Sequence, residues 1–305
     1  MKKVAWITDK IYLEHKPNMH HPENPRRLES IYSSIRPIED RLIKVEPKSA
    51  TIDELLMVHK KEMIRKVEIF SRVEEPLDLD TYTSSNSYNI ALRAVGAGLS
   101  AIDGIIEKKF NRAFCAVRPP GHHATPSKSM GFCLFNNIAI TARYAQKKGF
   151  KRVMIVDFDV HHGNGTQDTF YSDSSVFYFS SHQAFAYPHT GLENEKGVGE
   201  GLGYTANYLL MPDSTDKEIL EIYRVDLKRD FEFFKPDIIL VSAGYDLHKS
   251  DPLAQLDITT DGIREIIKLI LNLDESIPTI FMLEGGYSIR DLGLNVLATV
   301  EEMLR

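Results

Sequence analysis

Two aspartates and two histidines stand within six residues, Asp157, Asp159, His161 and His162, with Gly163 directly after them. Carboxylate oxygens and imidazole nitrogens are donors that zinc and related divalent metals accept. Two carboxylates and an imidazole that converge on one point strand one another unless a cation lies between them. The preceding run, Val153-Met154-Ile155-Val156, is apolar and β-branched, as in a buried strand. Alternate side chains of a strand share a face. If the strand persists, Asp157, Asp159 and His161 point one way and Phe158 and Val160 the other. A strand that ends in a solvated polar loop would also carry these residue types.

Other stretches carry the same kind of chemistry: Arg118-Pro119-Pro120-Gly121-His122-His123, Ser180-Ser181-His182, Gly244-Tyr245-Asp246 and Glu284-Gly285-Gly286-Tyr287. A metal on Asp159 and His161 needs a third ligand, and Asp246, just past the apolar run Ile238-Ile239-Leu240-Val241, is the best candidate. Three protein ligands that leave a position for water mark a catalytic site rather than a structural one. His122 and His123 lie in a loop stiffened by proline, where a fixed backbone can aim imidazoles. A histidine there can take a proton from an attacking water and pass it to a leaving group. Each imidazole needs an orienting acceptor, for which Asp157 and Asn164 are candidates. Tyr287 could donate its phenol hydrogen to a developing oxyanion; a Gly-Gly-Tyr sequence is also compatible with a turn that packs an aromatic ring.

The elements that must position these groups alternate between strand and helix. Strands are expected at 4–8, 112–117, 153–156, 176–179, 204–210, 237–242 and 279–283. Helices are expected at 26–35, after the capping box Thr51-Ile52-Asp53-Glu54, at 60–70, 87–108 and 136–148, as a turn at 168–171, from Ser214 to Phe234, and at 260–273 and 289–304. Residues 12–27, rich in His and Pro, read as an irregular loop. This is the βαβ pattern of an α/β protein with a parallel sheet and helices on both faces. With no linker, repeat or low-complexity segment, one domain is expected over residues 1–305. Each chemical cluster follows a strand, and open α/β sheets bind ligands beyond the carboxyl ends of their strands.

The 305 residues are 43% hydrophobic and 26% charged, ordinary for a globular chain, and the net charge of −6 provides no electrostatic footprint for nucleic acid. Cys115 and Cys133 are the two cysteines; their spacing suits neither a disulfide framework nor a cysteine zinc site and fits a reducing compartment. The N-terminus lacks the apolar core of a signal peptide, and no uninterrupted apolar run approaches the roughly 18 residues of a membrane span. The expectation is a cytoplasmic protein with no membrane and no nucleic acid partner.

The chain resembles the histone deacetylase and acetylpolyamine amidohydrolase family. The matching motifs are HPENPRR at 21–27, DTYTS at 80–84, RPPGHH at 118–123, MGFCLFNN at 130–137, VDFDVHHGNGTQ at 156–167, SAGYD at 242–246, DPLA at 251–254 and LEGGY at 283–287. They run in family order across nearly the whole chain, and the Asn164, DPLA and EGGY variants look most like class II deacetylases and bacterial amidohydrolases. The resemblance implies an arginase-like single domain around a central, mostly parallel eight-stranded sheet. It implies zinc on Asp159, His161 and Asp246, with Asp157 moved off the metal to hold His122. His123 would be the general base and then the acid, oriented by Asn164, and Tyr287 would polarise the acyl carbonyl. Potassium is implied at Asp157, Asp159, His161, Ser180 and Ser181, and a second potassium at Phe170, Asp173, Val176 and Tyr204.

The same resemblance places Gly131 and Phe132 on one wall of an acyl tunnel and Tyr187 on the other, where many relatives carry a second Phe. Leu253 takes the rim position at which polyamine-selective relatives place a Glu. Arg27 would lie at the pocket floor beside a route for acetate, and Cys133 would be a buried neighbour rather than a nucleophile. The implied substrate is an acetylated lysine in a protein or peptide, or an acetylated small amine, handled by a chain whose short length favours a monomer. Two other readings are a manganese ureohydrolase of arginase type, which would need more carboxylates at the strand ends, and a non-catalytic binding module, which would have lost a ligand, a histidine or the tyrosine.

Overall fold

Eight strands, most of them fully buried, pair side by side in a computed structural model that describes residues 2–18 and 20–305. Met1 and Met19, within the expected domain and the expected His/Pro loop, lie outside the described residues. The strands are β1 (Val4–Ile7), β2 (Ile43–Val45), β3 (Arg112–Cys115), β4 (Val153–Asp157), β5 (Val176–Gln183), β6 (Thr205–Leu210), β7 (Ile238–Ala243) and β8 (Thr279–Leu283). Their order is β2-β1-β3-β8-β7-β4-β5-β6, and every pairing is parallel. A parallel sheet covered on both faces needs strands that are apolar on both sides, which is why β4 and β7 read as continuous Val/Ile/Leu runs. The register sets Asp157 beside both Ser180 and Ser242, so β4, β5 and β7 deliver their polar ends to one place.

The helices are α1 (Arg26–Ile35), α2 (Ile52–Leu55), α3 (Lys61–Val73), α4 (Ser87–Ile106), α5 (Asn137–Lys147), α6 (Asn164–Phe170), α7 (Asp216–Glu221), α8 (Lys228–Phe234), α9 (Thr260–Leu271) and α10 (Ile289–Met303). They form two connected sets that flank the sheet: α1, α10, α9 and α7 in one, α3 to α6 in the other. Capping boxes at Thr51 and Thr215 and the Asn136 cap start α2, α7 and α5 where the sequence predicts. α4 is long and apolar enough to cross a membrane, with mean hydropathy 1.3, but most of its residues are buried in the protein core.

Several expectations need correction. β5 continues to Gln183, so Ser180, Ser181 and His182 lie on the strand and not after it. α6 starts at Asn164 instead of Asp168, because the chain coils directly out of the Gly163 turn. The short edge strand β2 has no periodic signal in its three residues. A 3₁₀ turn at Lys10–Glu14, capped by Asp9, occupies the start of the loop expected at 12–27, and a π-helical stretch at Ile222–Leu227 joins α7 to α8. The eight-stranded, helix-flanked sheet is as expected, and all of its pairings are parallel.

Candidate active site

β4 ends at Asp157 and the chain turns at once. Asp157 Oδ1 accepts the Asp159 N–H at 3.1 Å, and Asp159 Oδ1 accepts the His161 N–H at 2.9 Å. This turn replaces strand alternation and separates Asp157 from the other two. Asp159 and His161 meet Asp246, which follows β7, and the ligand atoms of these three all lie within 4.8 Å of one another. His161 Nδ1 is 3.2 Å from Asp159 Oδ1 and 3.1 Å from Asp246 Oδ2. Gly285 closes the group from behind: its N–H donates to Asp159 Oδ2 at 2.8 Å, and a Cβ there would run into both carboxylates.

The electrostatics of this group call for a cation. Burial, reinforced by the charge on Asp159, pushes the Asp246 carboxyl up to about 7. Burial alone would lower His161, but its hydrogen bonds to Asp159 and Asp246 outweigh that and raise it to about 10. Two buried carboxylates beside one imidazole form an oxygen-and-nitrogen donor set suited to a divalent metal such as zinc. His161 also faces an open cavity, which leaves room for a further ligand.

The two candidate general bases, His122 and His123, are buried and 4.0 Å apart between ring centroids. His122 Nδ1 is 3.1 Å from Asp157 Oδ2, which also accepts the Tyr178 hydroxyl at 3.1 Å. Burial would depress His122, but Asp159, Asp157 and Glu284 outweigh it and raise the imidazole to about 10. His123 is driven the other way: burial first, then the charges of His122 and His161, hold it well below its usual value. Its Nδ1 is 2.9 Å from Asn164 Oδ1, so Nδ1 carries the hydrogen and Nε2 keeps its lone pair. Neighbouring groups pushed to opposite protonation states divide into acid and base roles.

The loop carrying both histidines is anchored from below. Arg118 forms a buried ion pair with Glu23 through Nε and through Nη2 at 2.7 Å, joining two motifs that lie far apart in sequence. The Glu284 carboxylate accepts the Gly121 and His122 N–H groups at 2.6 and 3.1 Å. Burial, partly opposed by His122, pushes Glu284 up to about 7.

A cavity of about 260 Å³ opens onto this centre, lined by Asp80, His123, Gly131, Phe132, His161, Tyr187, Leu253 and Tyr287. Phe132 stands edge-on to Tyr287, with centroids 5.8 Å apart, and Tyr187 edge-on to His123 at 5.1 Å, so two aromatic walls face the opening. Gly131 has φ +56°, and a Cβ there would lie 2.5 Å from the His123 ring, a position only glycine tolerates. Leu253 sits at the rim, 42% exposed. Burial, against the pull of Arg27, raises the Tyr287 phenol well above its usual value and keeps it protonated. The Tyr287 N–H donates to Asp251 Oδ2 at 2.6 Å. Arg27 is buried beneath, its Cζ 4.9 Å from the Tyr287 ring centroid and its Nε donating to Gly286 O at 2.7 Å.

Ser180 pairs with Asp157 across the sheet and Ser181 follows it on β5, but their hydroxyls bond elsewhere, to His182 at 2.9 Å and Tyr223 at 3.0 Å. Phe170, Asp173, Val176 and Tyr204 lie away from the cavity, where the Asp173 carboxylate meets Arg143 at 2.5 Å and Ser175. Cys133 is buried and its thiol is raised by burial, consistent with packing rather than reactivity. Sequence reasoning missed Asp80 at the rim, Tyr178 beside Asp157, Asp251 under the Tyr287 loop, and the contacts of Glu284. Asp80, Asp251 and Glu284 stand inside quoted motifs, which was their available signal; Tyr178 had none.

The histone deacetylase domain matches residues 21–303. A probable deacetylase of Archaeoglobus fulgidus is 36% identical over 285 residues, covering 91% of this chain and 79% of that one. The chloroplastic histone deacetylase 10 of Oryza sativa subsp. japonica is 38% identical over 308 residues, covering 93% and 70%. The crystal structure of the HDA15 HD domain superposes with a TM-score of 0.95 at 33% identity, over 99% of this chain and 89% of that one.

Proposed function

The chain belongs to the histone deacetylase family and is a deacetylase, and from that premise we propose a zinc-dependent amidohydrolase that removes acetyl groups from lysine side chains. The observation that carries this reading is the convergence of Asp159, His161 and Asp246, the oppositely tuned His122 and His123, and Tyr287 beside one cavity. Zinc held by the first three would act as a Lewis acid toward the amide and make water nucleophilic at neutral pH.

The chain's own residues do the rest. Phe132 and Tyr187 bracket the aliphatic stem and exclude water from the cavity. His123 Nε2 takes the proton of the attacking water and returns it to the amine leaving group. Asn164 holds the tautomer this requires. His122, held at Nδ1 by Asp157, acts beside His123 by electrostatics rather than by exchanging the proton. Tyr287 donates its phenol hydrogen to the carbonyl oxygen as that atom becomes an oxyanion.

The half-exposed Leu253 at the rim offers no carboxylate to a second ammonium, and the rim carboxylate that is present, Asp80, already accepts the Thr81 hydroxyl, which favours acetyl-lysine over acetylpolyamines. Side-by-side rates on acetyl-lysine peptides, acetylpolyamines and longer acyl-lysines test this. Fastest turnover on acetyl-lysine peptides is expected; a preference for the polyamine would move the substrate to a small amine.

A further inference from the structure

We infer that Glu284 is a positioning residue for the histidine pair: its carboxylate grips the backbone of the loop at Gly121 and His122 and sets the height of both imidazoles over the metal-ligand group. This rests on the deacetylase reading above. Glu284 is 0% exposed, at the end of β8. Its Oε2 accepts two successive N–H groups, from Gly121 at 2.6 Å and His122 at 3.1 Å, a concave arrangement of amides that suits an anionic oxygen. Oε1 has no partner among the described residues, and no ion pair holds the carboxylate there. Burial of this carboxylate outweighs the pull of His122, so desolvating it opposes folding and stability alone is a poor reason for a glutamate at this point.

What the carboxylate does accomplish is geometric. Residues 284–287 serve three parts of the centre: the Glu284 side chain holds the histidine loop, the Gly285 N–H holds Asp159, and Tyr287 follows two residues later. The Glu284 backbone carbonyl accepts Arg27 Nη2 at 2.5 Å, which fixes the origin of the grip. Through Glu284 the loop that aims the proton-transfer groups is tied to the segment that presents the oxyanion donor. Small displacements of such groups are costly to rate and nearly neutral to binding.

Three variants test this on purified full-length protein loaded with zinc, using the acylated amine that wild type hydrolyses best. Glu284→Gln retains an acceptor oxygen at the same reach. Glu284→Met fills the space without one, and Glu284→Asp keeps the charge but falls about 1.5 Å short. Glu284→Gln is expected within about threefold of wild type in kcat and KM, whereas Met and Asp lose about 10²-fold in kcat with KM within about twofold and zinc content unchanged. Wild-type kcat in the Met or Asp variant overturns the inference, as does a loss confined to KM or accompanied by zinc loss. If the Met variant fails to fold, the Asp-to-Gln contrast decides the matter. A wild type with no turnover on any acylated amine refutes the substrate reading instead, which an active wild type with indifferent Glu284 variants does not.

Discussion

Replacing Tyr287 with Phe removes one oxygen atom from the centre and nothing else of consequence. No neighbour among the described residues hydrogen-bonds to the Tyr287 hydroxyl, so the folded ground state loses no bond. The ring would keep its edge contact with Phe132, at 5.8 Å, and its place 4.9 Å from the Arg27 guanidinium carbon. Folding stability should therefore change by less than about 0.5 kcal/mol. The hydroxyl acts only when the carbonyl oxygen gains charge. Loss of one such donor costs about 3–4 kcal/mol of transition-state stabilisation, or roughly 10²–10³ in rate. Because the interaction is absent in the ground state, the loss should fall on kcat and leave KM within about twofold. Steady-state kinetics on an acetyl-lysine peptide, with a denaturation curve on the same sample, measure both quantities. Full turnover in Tyr287→Phe would refute the oxyanion role, and a large stability loss would show that the hydroxyl has a structural partner.

Asp157→Asn should keep the metal and slow turnover about 10–10²-fold, because Asp157 holds His122 and lies outside the ligand group; elemental analysis showing substantial metal loss would restore Asp157 as a ligand. Gly285→Ala should weaken metal binding at least about tenfold, since its Cβ would intrude on Asp246 and Asp159; an unchanged affinity by competition with a chelating dye would show that the segment can yield. His59 is buried, with Nδ1 facing the Thr125 carbonyl at 3.0 Å and Nε2 accepting the Asn136 N–H at 2.8 Å; burial lowers it to about 4. Its folded-state value lies below the unfolded 6.5, so its stabilising contribution is present above pH 6.5 and is lost as pH falls toward 4. The stability of wild type relative to His59→Gln should drop by about 3 kcal/mol between pH 7 and pH 4. That difference must be read against the variant, because Asp246 and Glu284, both raised to about 7, add stability over the same range. A pH-independent difference would mean His59 is protonated as easily folded as unfolded.

Much of the fold was legible because buried parallel strands are apolar throughout and amphipathic helices carry their period in sequence. β4, β7 and α1 lie where that pattern puts them, within a residue or so. The three residues of β2 are too few for any period, and the polar end of β5 hid the continuation of the strand through Ser180 and Ser181. Within the centre, the donor types and their order were readable, and Asp246 was found from its place after a strand. Asp157 was misdirected by strand alternation because a side chain-to-backbone turn begins at that residue. The contacts of Glu284 with Gly121 and of Arg118 with Glu23 join residues 163 and 95 positions apart, and no local pattern carries such information.

The central claim is that Asp159, His161 and Asp246 hold the single metal on which deacetylation depends. The direct measurement is metal content and turnover on an acetyl-lysine peptide, for wild type as purified, after chelation, after zinc is restored, and for Asp246→Ala. One zinc per chain, activity lost on chelation and regained with zinc, and an Asp246→Ala variant lacking both metal and turnover are the predicted results. Turnover that survives complete removal of metal, or two metals per chain, would contradict the account.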